Sequence, residues 1–141
     1  MAIREDGVGA VCVGELIEQN LLIPHYQRPY SWESATALQL LDDIRDALND
    51  PERSDVPCVP GTVILHANGR GLDVVDGQQR LLTLRMILLR LEGFGVFGAA
   101  GRPDSPVARV WNALDRRICA LADEGRKLAP FIRERCQRFA W

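Results

Sequence analysis

The sequence is poor in the residues from which most metal centres and disulfide frameworks are built. It contains two histidines and four cysteines, and the cysteines (Cys12, Cys58, Cys119 and Cys136) are widely scattered without a CxxC pair. A structural zinc site needs four closely spaced ligands, and a small secreted scaffold needs paired cysteines. Neither class fits, so we expect a reduced, cytoplasmic protein.

Long hydrophobic runs and an excess of one charge are also missing. The longest apolar stretch, around residues 81–91, is interrupted by Arg85 and Arg90, which argues against a membrane span. The N-terminus carries acids before a short apolar run, which argues against a signal peptide. The 17 basic and 19 acidic residues give a formal charge of −2, so the chain is no polycation that binds nucleic acid non-specifically. Any anion site must be local.

The chain does contain enough apolar residues for one core. Its 141 residues are 47% hydrophobic and 26% charged, which is typical of a soluble globular domain. The first half predicts a short helix over residues 14–19 and an extended segment over 20–24. A second helix, capped by Ser31, is predicted to end near residue 50.

A hairpin and a helix are predicted next. Strands over residues 61–66 and 72–75 flank the turn pair Asn68-Gly69, and a helix with one apolar face begins directly after Asp76. The local order is therefore strand, tight turn, helix.

The remainder of the chain predicts a change of organisation. Residues 93–106 are rich in glycine and proline, which indicates a flexible connection. Helical periodicity then continues to Phe139 without a cap, which indicates the start of a truncated helical region. The predicted organisation is a first unit over 1–92, a connection over 93–106 and a helical region over 107–141.

The turn that follows the hairpin is the first candidate functional feature. A helix N-terminus presents backbone N–H groups and the positive end of the peptide dipole, and Gly77 lets an anion approach the backbone closely. Asp76, Gln78, Gln79 and Arg80 add a carboxylate, two amides and a guanidinium. This set can hold a phosphate together with a metal ion or an attacking water.

A structural role for the same residues stays open at this point. Asp76 and Gln79 also fit a capping box, and Asp-Gly is an ordinary turn pair. Arg80 favours function, because a cation in the first helical turn opposes the dipole by about 0.3–1 kcal/mol and therefore calls for an anionic partner. That partner is either a ligand phosphate or a protein carboxylate.

The second candidate feature is a cluster of aromatic residues. Aromatics make up 6% of the chain, yet Tyr26, Tyr30 and Trp32 fall together around Gln27 and Arg28. Such a cluster can stack a nucleobase while the polar pair reaches phosphate or base edges. The alternative, which the residues alone favour, is an aromatic and proline clasp that pins the segment against the core.

The two segments together carry a family resemblance. IPHYQRPYSW at 23–32, the strand at 61–64 and VVDGQQRLLTL at 74–84 resemble the N-terminal domain family of GmrSD restriction endonucleases. The resemblance implies an α+β, ParB/sulfiredoxin-like fold, with a small mixed sheet, flanking helices and C-terminal helices after it. In that family the DGQQR segment is implicated in nucleotide binding and hydrolysis, and members act in bacterial defence against modified phage DNA.

The resemblance also implies roles for individual residues. The expected catalytic residues are Asp76, Gln79 and Arg80, with Asp76 as the metal ligand. The expected nucleotide-binding residues are Tyr26, Gln27, Arg28, Gly77, Gln78 and Thr83. The implied cofactor is an NTP with Mg²⁺, whose phosphate charge Arg28 and Arg80 neutralise.

The leading functional hypothesis is a nucleotide-binding, NTP-hydrolysing sensor domain of a restriction or anti-phage system. DNA is expected to be reached through a larger protein or a partner nuclease subunit, because His25 and His66 lie in no HNH-like context. A homo-oligomer is a further expectation, and membrane contact is not expected. One alternative is a non-catalytic ParB-like DNA-binding or assembly module that uses Arg28, Arg80 and Arg85 on the phosphodiester backbone. The other is a chain that is inactive without a helical partner region.

Overall fold

Both helices and strands occur in a computed structural model, which describes residues 9–19, 21–22, 29–50, 62–67, 69–93, 105–121, 124–135 and 137–140. The elements in these ranges are β1 (Gly9–Cys12), α1 (Val13–Glu18), β2 (Leu21–Leu22), α2 (Ser34–Asn49), β3 (Thr62–Ala67), β4 (Leu72–Asp76), α3 (Gln78–Leu91), α4 (Pro106–Cys119), α5 (Glu124–Arg135) and β5 (Gln137–Ala140). This confirms the predicted α+β class. None of the described helices is long and apolar enough to cross a membrane.

The strands form one mixed sheet in the order β1-β5-β3-β4-β2. The predicted hairpin is confirmed, since β3 and β4 are antiparallel neighbours, and Gly69 in their connection has the positive φ of 83° that a tight turn requires. Asn68, the other predicted turn residue, lies outside the described residues. The parallel pairs are β2 with β4 and β3 with β5, while β1 pairs antiparallel with β5.

A register irregularity occurs at the end of the hairpin that leads into α3. Leu65 pairs with Val74 and Ile64 pairs with Asp76, so β4 has one extra residue, Val75, between the two pairs. A bulge of this kind bends the strand and increases its local twist. It brings Asp76 to the end of the sheet with an exposed side chain.

Four helices share the main hydrophobic core. Its members come from α2, α3, α4 and α5, together with Val13, Tyr30 and Leu121. The largest fully buried side chains among them are Leu41, Ile44, Leu84, Met86, Ile87, Leu88, Leu114, Leu128 and Ile132. The residues predicted to lie in a separate helical region therefore pack in the same core as α2 and α3. The division of the chain at residues 92 and 107 stays a prediction, and residues 94–104 of the predicted connection lie outside the described ranges.

A smaller cluster fixes the start of α3 on the sheet. Leu16, Val63, Val74 and Leu81 are buried together, so α1, β3, β4 and the first turns of α3 pack on one another. Burying one leucine side chain stabilises a fold by roughly 1.5–3 kcal/mol. These contacts hold the N-terminal end of α3 on the sheet.

Ion pairs connect the helices across the surface. Arg45 of α2 binds Glu124 of α5 through two hydrogen bonds of 3.2 and 3.0 Å, and Asn49 donates a third to the same carboxylate. These bonds lower the pKa of Glu124 below its ordinary value. Arg117 of α4 binds Asp42 of α2 at 2.7 Å. The pairs set the position of α2 relative to α4 and α5.

Two details of the predicted secondary structure are wrong. Ser31 does not cap α2, because the N-cap is Glu33, and Glu33 itself makes no side-chain capping bond. The N–H of Ser31 donates instead to the side chain of Gln79 in α3, and α2 begins three residues later, at Ser34. The predicted C-terminal helix ends at Arg135, and residues 137–140 form β5, since backbone pairing with β1 and β3 overrides their local helical periodicity.

Candidate functional site

The candidate site is built on the single residue that joins β4 to α3. Asp76 is the last residue of β4, and Gly77 is the N-cap of α3 with φ 88° and ψ 11°. This left-handed conformation costs a residue with a Cβ roughly 1–2 kcal/mol, which explains why glycine occupies the position. The first intrahelical bond runs from the N–H of Leu81 to the carbonyl of Gly77. The chain therefore passes from sheet to helix in one step.

The geometry of this turn removes the capping-box alternative. The N-cap is Gly77 rather than Asp76, and α3 has no side-chain cap. Gln79, the other half of the expected box, uses its side-chain amide elsewhere. The carboxylate of Asp76 is exposed beside the helix end, where it is available for chemistry.

The segment from Pro29 to Trp32 lies against the first turns of α3. The side-chain oxygen Oε1 of Gln79 accepts a hydrogen bond of 2.8 Å from the N–H of Ser31, and its Nε2 donates a bond of 3.3 Å to the carbonyl of Pro29. A two-sided bond to backbone fixes both the position and the direction of the segment. The two motifs recognised in the sequence are thus in direct contact.

A buried hydroxyl pair adds a second connection between the two motifs. The hydroxyl of Thr83 donates to the carbonyl of Gln79 at 2.8 Å and lies 2.7 Å from the hydroxyl of Tyr30. Since Thr83 has one hydroxyl proton and uses it on Gln79, Tyr30 is the donor of the shorter bond. Burial raises the pKa of Tyr30 above its ordinary value, and the bond to Thr83 offsets part of that rise.

Arg80 is oriented by an aromatic ring. Its Cζ lies 5.8 Å from the centroid of the Trp32 ring, within the range of a cation–π contact. Both side chains are half-buried. An aromatic ring holds a guanidinium in place without removing its positive charge. A cation is therefore positioned near the N-terminal end of α3, where its charge adds to the positive potential of the helix end.

The residues predicted from the sequence divide into three groups. Asp76, which is exposed, lies with the half-buried Gly77 and Arg80 at the N-terminal end of α3. Gln78 is 6% exposed and Thr83 is 0% exposed, and the side chains of Gln79 and Thr83 bind the Pro29–Trp32 segment. The third group, Tyr26, Gln27 and Arg28, lies outside the described residues.

The side chains at this turn suit a metal ion that is coordinated mainly by a bound small molecule and only in part by the protein. No group of three or more histidine, cysteine or acidic side chains that could hold a metal ion occurs in the part of the chain that the structure describes. Among the turn residues 76–80, Asp76 is the one that can supply a carboxylate oxygen. Mg²⁺ is commonly bound through one or two carboxylates together with substrate phosphates and water, so a single carboxylate suits a magnesium–nucleotide complex.

A cleft beside Trp32 was not anticipated from the sequence. It has a volume of about 380 Å³ and is lined by Ser31, Trp32, Glu33, Ser34, Pro106 and Arg109. The cleft forms where the N-terminal ends of α2 and α4 meet, and the hydroxyl of Ser34 donates to the carbonyl of Arg109 at 3.5 Å across it. The one signal in the sequence is Ser105-Pro106, a favourable start for a helix, and Ser105 does cap α4.

Comparison with known proteins agrees with this architecture. The model of the GmrSD restriction endonuclease N-terminal domain family matches residues 13–135. That range extends beyond the three segments that carry the sequence resemblance, at 23–32, 61–64 and 74–84, and includes α4 and α5. No curated protein matches the chain. With most of its length covered by the family model, the chain belongs to the GmrSD restriction endonuclease N-terminal domain family, a family of restriction-system modules.

Proposed function

We propose that the β4–Gly77–α3 turn binds the phosphates of a nucleoside triphosphate. In this proposal the chain is the nucleotide-binding, NTP-hydrolysing sensor module of a restriction system that acts on modified phage DNA. The observation that carries the proposal is the combination at one helix end of a left-handed glycine, an exposed carboxylate and an oriented guanidinium. DNA is reached through a larger protein or a partner nuclease subunit.

Electrostatics at the helix end favours a polyanion. The dipole places roughly half a positive charge at an α-helix N-terminus, and the N–H groups of the first turn point along the axis toward a ligand. Gly77 has no Cβ to keep a phosphate oxygen away from the backbone. Arg80 adds a full positive charge, and guanidinium groups suit bidentate bonds to phosphate.

Asp76 explains why the ligand is proposed to arrive as a magnesium complex. A carboxylate and a triphosphate are both anionic, so close approach of the two is unfavourable without a cation between them. Bound Mg²⁺ supplies charge neutralisation on the phosphate oxygens. With the phosphates held, Asp76 orients the attacking water and Arg80 neutralises charge on the transferred phosphoryl group.

Gln79 and Thr83 have a different part in this proposal from the one that the family resemblance implies. Their polar atoms hold the segment that carries Trp32, which in turn orients Arg80. They are positioning residues, and they act on the nucleotide through Arg80. Substitution of Gln79 is therefore expected to weaken nucleotide binding less than substitution of Arg80.

Calorimetric titration with Mg²⁺ and each of the four NTPs tests the proposal. Arg80→Ala is expected to weaken binding about 10- to 150-fold, the equivalent of lost hydrogen bonds to a charged group. Arg85→Ala is the matched control, because Arg85 is an exposed arginine of the same helix and is expected to leave the affinity unchanged. Equal affinities of the wild type and Arg80→Ala would remove Arg80 from the site.

Turnover of the bound NTP is tested separately. Asp76→Asn is expected to abolish phosphate release while leaving the urea unfolding curve unchanged, because the side chain is exposed and caps no helix. Unchanged turnover would reject Asp76 as the group that orients water. Salt-dependent DNA binding without affinity for any NTP would support the non-catalytic DNA-binding or assembly module instead.

A further inference from the structure

The cleft between α2 and α4 has the dimensions of a small-ligand site. Its volume of about 380 Å³ lies in the range of roughly 300–1,000 Å³ typical of such sites. Trp32 forms part of its wall, and the same ring carries Arg80. The cleft and the proposed phosphate site are therefore neighbours that share one side chain.

A carboxylate and a guanidinium, those of Glu33 and Arg109, line this cleft without forming an ion pair with each other. Glu33 and Arg109 are both exposed, and within the described ranges neither side chain forms an ion pair or a hydrogen bond, with the other or with a third residue. A carboxylate presents two acceptors, and a guanidinium presents a fork of donors. A flat ligand with donors along one edge and acceptors along the next can pair with both side chains.

We propose that the cleft holds the base of the bound nucleotide and selects guanine. This inference rests on the proposed function. Guanine alone among the four bases has two adjacent donors, N1–H and the N2 amino group, beside two adjacent acceptors, O6 and N7. Glu33 accepts from N1–H and N2, Arg109 donates to O6 and N7, and Trp32 stacks on the base.

The other bases satisfy this pair of side chains less well. Adenine offers the carboxylate one amino group on its outer edge and places an acceptor, N1, next to it. Cytosine and uracil each offer one donor group. A base that leaves one oxygen of Glu33 or one branch of Arg109 without a partner loses a bidentate contact, and such a contact is worth roughly a 5- to 150-fold difference in affinity.

The test is the affinity of the full chain for GTP, ATP, CTP and UTP, each with Mg²⁺, by calorimetry. Wild type is expected to bind GTP most tightly. Glu33→Gln and Arg109→Ala are each expected to lower the GTP affinity roughly 5- to 150-fold and to change the affinities of the other NTPs by less than about threefold. Asp46→Asn on α2 and Arg116→Ala on α4 are the matched controls, since both residues are exposed and lie outside the cleft.

Folding of the key variant is not expected to interfere. Glu33 makes no capping bond to α2, so Glu33→Gln removes no contact of the fold, and an unchanged melting temperature checks this. Equal affinities for the four NTPs, or a GTP preference that survives Glu33→Gln, would overturn the inference. If the NTPs bind equally and Arg80→Ala weakens them all, the proposed function stands and the guanine assignment alone fails. If no NTP binds, both fail.

Discussion

The buried hydroxyl pair between Tyr30 and Thr83 is expected to couple the Pro29–Trp32 segment to α3 energetically. Tyr30 is 8% exposed and Thr83 is 0% exposed, and their oxygens are 2.7 Å apart. Thr83→Val keeps the shape of the side chain but leaves the Tyr30 hydroxyl buried without its acceptor. Tyr30→Phe removes the donor and leaves Thr83 bonded to the carbonyl of Gln79.

The magnitudes follow from which polar group each variant leaves without a partner. Thr83→Val is expected to lower the free energy of unfolding by about 1–3 kcal/mol, the cost of one unsatisfied buried group. Tyr30→Phe is expected to cost about 0.5–1.5 kcal/mol, the net value of one neutral hydrogen bond. In the double variant no hydroxyl of the pair is stranded, so its cost is expected to fall below the sum of the two single costs by about 1 kcal/mol.

Urea unfolding followed by circular dichroism at 25 °C, on wild type and the three variants, measures this coupling. The slope of the free energy of unfolding against urea concentration is expected to be equal in all four proteins, because none of the substitutions appreciably alters the surface area buried on folding. If the two single costs add to within about 0.3–0.5 kcal/mol, the pair is not coupled and the reasoning is refuted.

Two further predictions concern pH and the turn. Because burial raises the pKa of Tyr30 above its ordinary value of 10.0, the neutral phenol stabilises the fold fully below pH 10, and this stabilisation is lost as pH rises through the folded-state pKa. Urea unfolding between pH 9 and pH 11 is expected to show a steeper alkaline loss for wild type than for Tyr30→Phe, and parallel curves would contradict it. Gly77→Ala is expected to cost about 1–2 kcal/mol through left-handed strain; a thermal melt equal to that of wild type would show that the turn is not strained.

Local signals in the sequence were sufficient for the hairpin and for α3. Alternating apolar residues, a glycine-containing turn and a helical apolar face act within a few residues of one another, so they predict strands, turn and helix directly. The family resemblance rested on the same stretch together with the aromatic segment, and the family assignment confirmed it. The ParB/sulfiredoxin-like form of the fold stays a prediction.

The misses have a common physical cause, which is that distant segments decide local structure. Residues 137–140 carry a helical apolar pattern, yet their backbone pairs with β1 and β3. Gln79 fits a capping box locally, yet its amide binds a backbone segment 48 residues away. Arg109 joins Glu33 in a cleft only because α4 packs on α2. In each case the two contacting segments are far apart in the sequence, so no short stretch of sequence contains both.

The most direct test of the phosphate site uses a ligand without a base. In a ¹⁵N-labelled sample titrated with magnesium tripolyphosphate, the largest backbone amide shifts are expected at Gln78, Gln79 and Arg80, in the first turn of α3. Arg90, at the opposite end of the helix, is expected to stay unchanged. Shifts that cluster away from this turn at saturation, or no shifts at millimolar ligand, would contradict the claim that the β4–Gly77–α3 turn binds phosphate.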